Sequence, residues 1–274
     1  MISSVPVPAD GKIRSLHVKA RDYIRFSDNV SSLNVVSSLD EAHIDRSKLK
    51  SIHIGSNVKQ LQSSCFERCS SLSAVTGGAN VHSIDDFAFM DCTSLTSFAP
   101  LAPGIAKKLS IKNIGVSAFA NTGLREVAVG LSSGSTDSTV QAYAFAGCKQ
   151  LTSFTNILRN ALADHQFDGC TSLKNVSLAN QHDFCGAYVF QNCTSLQKLS
   201  IPSNTYFIGD GFCKGCTSLT SFTFEESDTS KALLAGSNAV GDDFLSGTAV
   251  TSLTFPSSVT SFAMLSKNAL RGMS

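Results

Sequence analysis

Short apolar triplets punctuate the chain at nearly even intervals. The pattern is a leucine or valine, two small or polar residues, a second apolar residue, one further residue and usually a third apolar one. It recurs as LKSIHI, LREVAV, LKNVSL, LQKLSI, LTSFTF and VTSLTF. The opening positions are Leu49, Leu72, Leu95, Leu124, Leu151, Leu173, Leu196, Leu219 and Val250, spaced by 23, 23, 29, 27, 22, 23, 23 and 31 residues. Alternation within each copy predicts a short strand with one buried face, and a fixed period of this size predicts a stacked repeat architecture. A unit of about 23 residues cannot bury its own apolar face, whereas copies stacked at the ~4.8 Å strand spacing can; nine would form a rod roughly 40 Å long.

Other columns keep the same register. Six residues before most of the leucines stands Phe66, Phe89, Phe145, Phe167 or Phe190, with Cys213 there once. Phe119, Leu245 and Leu270 fill the place in the shorter or broken copies. An aromatic at one point of every turn predicts a stacked spine. Three residues after it come Cys69, Cys92, Cys148, Cys170, Cys193 and Cys216, replaced by Thr122, Thr248 and Met273. The residue before that column is Arg68, Asp91, Asn121, Gly147, Gly169, Asn192, Gly215, Gly247 or Gly272. Gly and Asn dominate and tolerate positive φ, so a left-handed turn is expected once per repeat, with Arg68 the exception. A second apolar pair ahead of the phenylalanine, as in VHSIDDFAF and IKNIGVSAF, predicts a short extended segment on an opposite wall.

These residues resemble the BspA-type leucine-rich repeat, found in surface proteins of oral and gut bacteria and of mucosal protists such as Trichomonas and Entamoeba. FMDCTSLTSF, FDGCTSLKNVSL and FQNCTSLQKLSIP carry the resemblance, which runs from about Leu49 to the C-terminus. It implies a right-handed leucine-rich-repeat solenoid of short parallel β-strands. It also implies a non-catalytic protein-binding role, as an adhesin or surface antigen contacting host cells or extracellular-matrix proteins, at the cell surface or secreted. Scaffold residues define the family, so they speak to fold more than to ligand.

The chain divides at Leu49. Residues 1–48 match the repeat poorly: IRSLHV is strand-like, NVSSLNVVSSLDEAHIDRSKLK irregular, and the segment is expected to cap the solenoid's open edge. Residues 49–274 form the repeat region, which stops inside a copy just after Gly272, as a fragment with a downstream anchor or with the last half-turn as its own lid. Three copies carry insertions, at 99–110, 130–141 and 225–238, which are expected to bulge from one face.

Composition narrows the function classes. The 274 residues are 42% hydrophobic and only 16% charged, with net charge +1, so no global field draws the molecule to nucleic acid or an anionic membrane. No apolar run reaches the roughly 20 residues that span a bilayer, and the N-terminus MISSVPVPADGKIRS lacks the basic and apolar regions of a secretory signal. That absence makes an intracellular, cytoplasmic scaffold or a self-assembling rod, stacking end to end, the alternative to the surface adhesin. Nine cysteines, an odd count, cannot all pair within one chain.

Candidate chemistry is sparse. The one C-x-x-C, Cys213 and Cys216, falls on repeat columns, so no metal site is expected; the cysteines read as a buried thiol ladder whose neighbours could pair in an oxidising setting. Cys65 and Cys185 lie outside the column and are expected to be more exposed. His17, His43, His53, His82, His165 and His182 have no common spacing, although His17 and His53 share a strand position and are expected near each other. No nucleophile-base-acid motif and no phosphate-binding loop is present, so neither catalysis nor a cofactor is implied. Sequons at Asn29, Asn175 and Asn192 are chance matches in a Ser/Thr-rich chain. Alternation leaves a concave strip of outward residues, mostly Ser, Thr and Ala. Glu126, Asn175 and Lys198 interrupt it, and with His53 they are the expected ligand-binding residues.

Overall fold

The computed structural model describes residues 17–18, 32–35, 49–54, 58–78, 80–98, 111–129, 139–156, 161–178, 184–202, 205–225, 239–255 and 264–273. The chain winds as a coil with two β walls. The first wall opens with β1 (His17–Val18) and β2 (Ser32–Val35). It continues through the segments after the repeating leucines: β3 (Ser51–Ile54), β5 (Ala74–Gly77), β8 (Glu126–Val129), β10 (Ser153–Asn156), β11 (Asn175–Leu178), β13 (Lys198–Ile201) and β15 (Ser221–Phe224). The expected opposite wall is formed by two-residue strands: β4 (Gln60–Leu61), β6 (Ser83–Ile84), β7 (Asn113–Ile114), β9 (Thr139–Val140), β12 (Phe184–Cys185) and β14 (Phe207–Ile208). Every pairing is parallel, and copies meet letter for letter, as where Ser153 lies between Glu126 and Asn175. Single bridges Leu162–Cys185, Ile208–Val240 and Val240–Leu265 carry the second wall through further turns.

Two features depart from expectation. The stretch around residue 33, expected to be irregular, contains β2, which pairs with β1 and β3 in one four-stranded sheet with β5. Apart from β1 and β2, the proposed cap 1–48 lies outside the described residues, as do 99–110, 130–138 and 226–238 of the insertions. Leu95–Phe98 and Val250–Phe255 form no strand, and β11 does not pair with β13, so the first wall is divided into separate sheets. Their side chains nevertheless stay in the core: Leu95 and Val250 are fully buried, and the Phe98 ring sits 5.3 and 5.4 Å from Phe89 and Phe119. Hydrophobic register therefore persists where the backbone ladder lapses.

The edge joining the second wall to the next leucine is a third ladder. Residues two apart donate their amides to the following turn, as Ser64 to Asp86, Phe66 to Ala88 and Arg68 to Met90. Left-handed backbone makes this possible by re-aiming the peptide units. All nine positions of the Gly/Asn column have positive φ, Arg68 included at 59°. A second left-handed column, two residues before the spine, holds Ser64, Phe87, Ser117, Tyr143, His165, Tyr188, Gly211 and Asp243. Bulky L-residues avoid this region at a cost of ~1–2 kcal/mol each. The hydrogen bond that each amide makes to the next turn holds them there, as from Tyr143 to Asp164 O at 3.0 Å. Aspartates beside this column reinforce the edge: Asp86, Asp164 and Asp210 accept the amides of Val116, Ala187 and Asp242 at 2.7, 2.8 and 2.7 Å.

The core is the expected spine. Phe66, Phe89, Phe119, Phe145, Phe167 and Phe190 stack at centroid steps of 5.3, 5.2, 5.6, 5.6 and 5.5 Å. The residue just before each is small or slender in most turns, as with Ala88, Ala118, Ala144 and Val189, and is buried. Where the spine position becomes Cys213 and then Leu245, the preceding residue becomes Phe212 and Phe244, both fully buried. The ladder bonds Phe190 to Phe212 O and Cys213 to Phe244 O fix this equivalence. The ring has moved one residue along the chain, and Phe212 meets Phe190 edge-on at 5.3 Å and 89°. Leu270, the last spine position, is 46% exposed because no described turn covers it.

Candidate binding surfaces

The concave strip on the first wall is smooth, as the alternation predicts. Glu126 and Asn175 stand exposed in one row with Ser153 between them. Lys198 is exposed at the same point of a strand but belongs to the separate β13–β15 sheet, opposite Ser221. The backbone of His53 lies in the other outward row, between Asn34 and Thr76, and its side chain lies outside the described residues. The four expected ligand-binding residues are thus spread along the strip and do not form one cluster. Two expectations are corrected. His17 and His53 share a row, but β2 with Asn34 runs between them. Ala128, expected to face outward, is buried at 6% exposure.

The thiols are masonry with a polar task. All nine cysteines are free and buried, including Cys65 and Cys185, whose expected exposure is therefore corrected. In the column, each thiol from Cys92 onward donates to the carbonyl of the spine phenylalanine in the preceding turn. Cys92 reaches Phe66 O at 3.1 Å, Cys148 Phe119 O at 3.1 Å, Cys170 Phe145 O at 3.2 Å, Cys193 Phe167 O at 3.2 Å and Cys216 Phe190 O at 2.9 Å. Thr122 and Thr248, in the copies one residue shorter, bend back to their own turn's carbonyl at 2.9 and 2.8 Å. Burial pushes Cys148 up to about 11, against the opposing hydrogen bond to Thr122, and Cys185 up to about 12. Cys193 and Cys213 are also pushed up, chiefly by burial, whereas the neighbouring sulfurs of Cys193 and Cys213 push Cys216 down. Cys148, Cys170, Cys185, Cys193 and Cys213, which burial holds protonated at neutral pH, are poor nucleophiles and poor metal ligands. Among the described residues, no group of three or more His, Cys, Asp or Glu is placed to hold a metal ion.

The edge presents a surface that the sequence reading missed. The second left-handed column turns aromatic rings outward: Phe87 is 38% exposed and Tyr143 41%. Tyr143 stacks on His165 at 4.5 Å and 7°, and His165 on Tyr188 at 5.0 Å and 20°. His165 Nδ1 is 3.0 Å from Asp168 Oδ2. Gly211 ends the stack for a steric reason: a Cβ there would lie 2.3 Å from Tyr188 Cε1, so the ring lies over bare backbone. On the second wall, four residues upstream, exposed Phe184 packs with Phe207 at 5.9 Å. N-terminal to this patch the same wall is polar. Gln60 and Ser83 bond to Asp85, Asn113 bonds to Ser83, and Thr139 bonds to Asn113. The aromatics occur in the right register in the sequence, but only the left-handed backbone reveals that they face outward.

The profile of the BspA type Leucine rich repeat region matches this chain in overlapping stretches, residues 24–152, 112–233 and 138–268, with six copies. The chain belongs to this family. Its fold is accordingly a leucine-rich-repeat solenoid, and the BspA-type match begins within the segment assigned to the cap. Among solved structures it is similar to a leucine-rich repeat protein from Bacteroides ovatus, at 17% identity over 92% of this chain and 87% of that one, with TM-score 0.40. It is similar also to the pneumococcal vaccine antigen PcpA, at 15% identity over 99% and 89%, TM-score 0.45. A leucine rich cell surface protein from Faecalibacterium prausnitzii matches at 15% identity over 93% and 90%, TM-score 0.34. No curated protein matches the chain. Leucine-rich repeats are generally protein-binding modules. Among the described residues, no helix is long and apolar enough to cross a membrane.

Proposed function

We propose that this BspA-type chain is a non-catalytic module that binds protein ligands at a cell surface, as an adhesin or surface antigen contacting host cells or extracellular-matrix proteins. One observation carries the reading. The letters that repeat between copies are consumed by the scaffold, and those that differ stand on two long faces, the hydroxyl strip with Glu126, Asn175 and Lys198 and the aromatic edge with Tyr143 and Tyr188. Weak patches held at fixed spacing on a rigid support add through avidity, and exposed tyrosines are preferred anchors in protein interfaces. Protease shaving of intact cells, with binding of the purified chain to a panel of immobilised extracellular-matrix proteins, tests this. Cleavage from outside and saturable binding are expected; full protection from shaving and no binding would sink the reading. A second reading, an intracellular or self-assembling scaffold, is favoured by the nine free buried thiols, the state that a reducing compartment maintains.

A further inference from the structure

The aromatic edge differs in charge from the rest of this nearly neutral molecule. Beside the column of Phe87, Tyr143, His165 and Tyr188, the aspartate column contributes Asp86, Asp164 and Asp210, and Asp168 is bonded to His165 itself. Their carboxylates accept one backbone or imidazole hydrogen bond each. The cations at either end are already paired: Arg68 lies 3.5 Å from Glu67 and 3.8 Å from Asp91, and Lys214 lies 3.2 Å from Asp243. Among the described residues, none of Asp86, Asp164, Asp168 and Asp210 forms an ion pair with a lysine or arginine, so the rings between the two ends sit beside unneutralised carboxylates.

Ring geometry adds a second constraint. Ser117 occupies the column between Phe87 and Tyr143, so among the described residues the Tyr143 face turned toward it has no ring partner. Spine steps for the same two turns are 5.2 and 5.6 Å, which puts a group seated over Ser117 within one turn of both flanking rings. That distance lies inside the ~6 Å over which a guanidinium or ammonium is attracted to an aromatic face.

We propose that this edge docks a basic segment of a protein partner. One arginine or lysine lies over Ser117 against the open face of Tyr143, and neighbouring cations face Asp164, Asp168 and Asp210. Charge complementarity selects this occupant: an acidic segment would be repelled, and a neutral ligand would leave the field unused. The inference rests on the protein-binding reading above and names the partner chemistry and the surface.

Titration of the full chain with a synthetic Arg-Ser hexapeptide, an alternating Glu-Ser hexapeptide and cellohexaose tests it by calorimetry and by NMR. Saturable binding is expected for the arginine peptide alone, weakening steeply with salt. Tyr143→Ala should weaken it about five-fold, Tyr143→Phe little, and Asp164→Asn, which keeps the acceptor oxygen for Ala187 N, should weaken it and flatten the salt dependence. Lys174→Ala, at an exposed position just before β11, should leave it unchanged. Equal binding of the Glu peptide or of cellohexaose, or wild-type affinity in a folded Tyr143→Ala chain, overturns the proposal. If the chain binds a matrix protein equally well with and without Tyr143, the docking proposal fails and the function stands. If the arginine peptide binds through Tyr143 but no protein ligand binds and cells shield the chain from protease, the surface function fails and the edge chemistry stands.

Discussion

From Phe66 to Phe190 the coil and the turns after it solve the same packing problem differently. In the first region a small residue precedes a phenylalanine, and the rings pile face to face within 4–22° of parallel. In the second, phenylalanine comes first and Cys213 or Leu245 second, and Phe212 and Phe244 meet their neighbours at 89° and 76°. Both arrangements bury their side chains completely. The fold therefore requires that two adjacent columns together supply one ring's volume, and tolerates either order. This is the behaviour expected of close-packed interiors, where volume-conserving exchanges cost least.

The comparison can be broken most forcefully in the first region. Phe145 touches rings on both sides, so Phe145→Ala should cost ~3–5 kcal/mol in urea unfolding, and Phe212→Ala should fall at or below the lower end of that range. Equal losses would show that stacking adds nothing beyond burial. Converting the second region into the first tests the shared volume directly. Cys213→Phe alone should overpack and cost ~1–3 kcal/mol. Adding Phe212→Ala recreates the Ala144-Phe145 order, and the double mutant should be more stable than the sum of the singles by at least ~1 kcal/mol; additivity would show that the columns do not share space.

Alkaline pH probes the buried thiols of the first region. Unfolded thiols ionise near 9, whereas Cys148 and Cys185 hold their protons to about 11 and 12. Between those values the unfolded chain binds fewer protons, so stability is intact below pH 9 and falls as pH rises, by about 1 kcal/mol per pH unit for each such thiol. A stability curve flat from pH 8 to 11 would contradict the burial. Smaller again, Asp164→Ala should cost ~1 kcal/mol by orphaning the Ala187 amide, with Asp164→Asn close to neutral. Lys198→Ala should stay within about 0.5 kcal/mol, because its head stands free of the scaffold.

The periodic letters by themselves determine the fold class. Leucine spacing, the phenylalanine column and the Gly/Asn column each specify one local property, burial or positive φ, and stacking forces identical copies into one register. Even Arg68, with no intrinsic preference for positive φ, follows because its amide is claimed by Met90 O. The candidate ligand residues were legible only as interruptions of a strip: alternation places Glu126 and Asn175 in one row, but cannot say that the sheet breaks before Lys198.

What only the tertiary structure decided concerns groups that satisfy the next turn. The cysteines looked like small hydrophobes, and their hydrogen bond to a carbonyl some 26 residues away cannot be inferred from spacing alone. The second left-handed column escaped notice because its residues, Phe, Tyr, His and Ser, share no propensity for that backbone; inter-turn hydrogen bonding imposes it on them. A sequence records intrinsic preference, so it showed where glycine and asparagine agree with the fold. Where the fold overrules preference, turning Tyr143, His165 and Tyr188 outward into a stacked edge, only the packed coil supplies the reason.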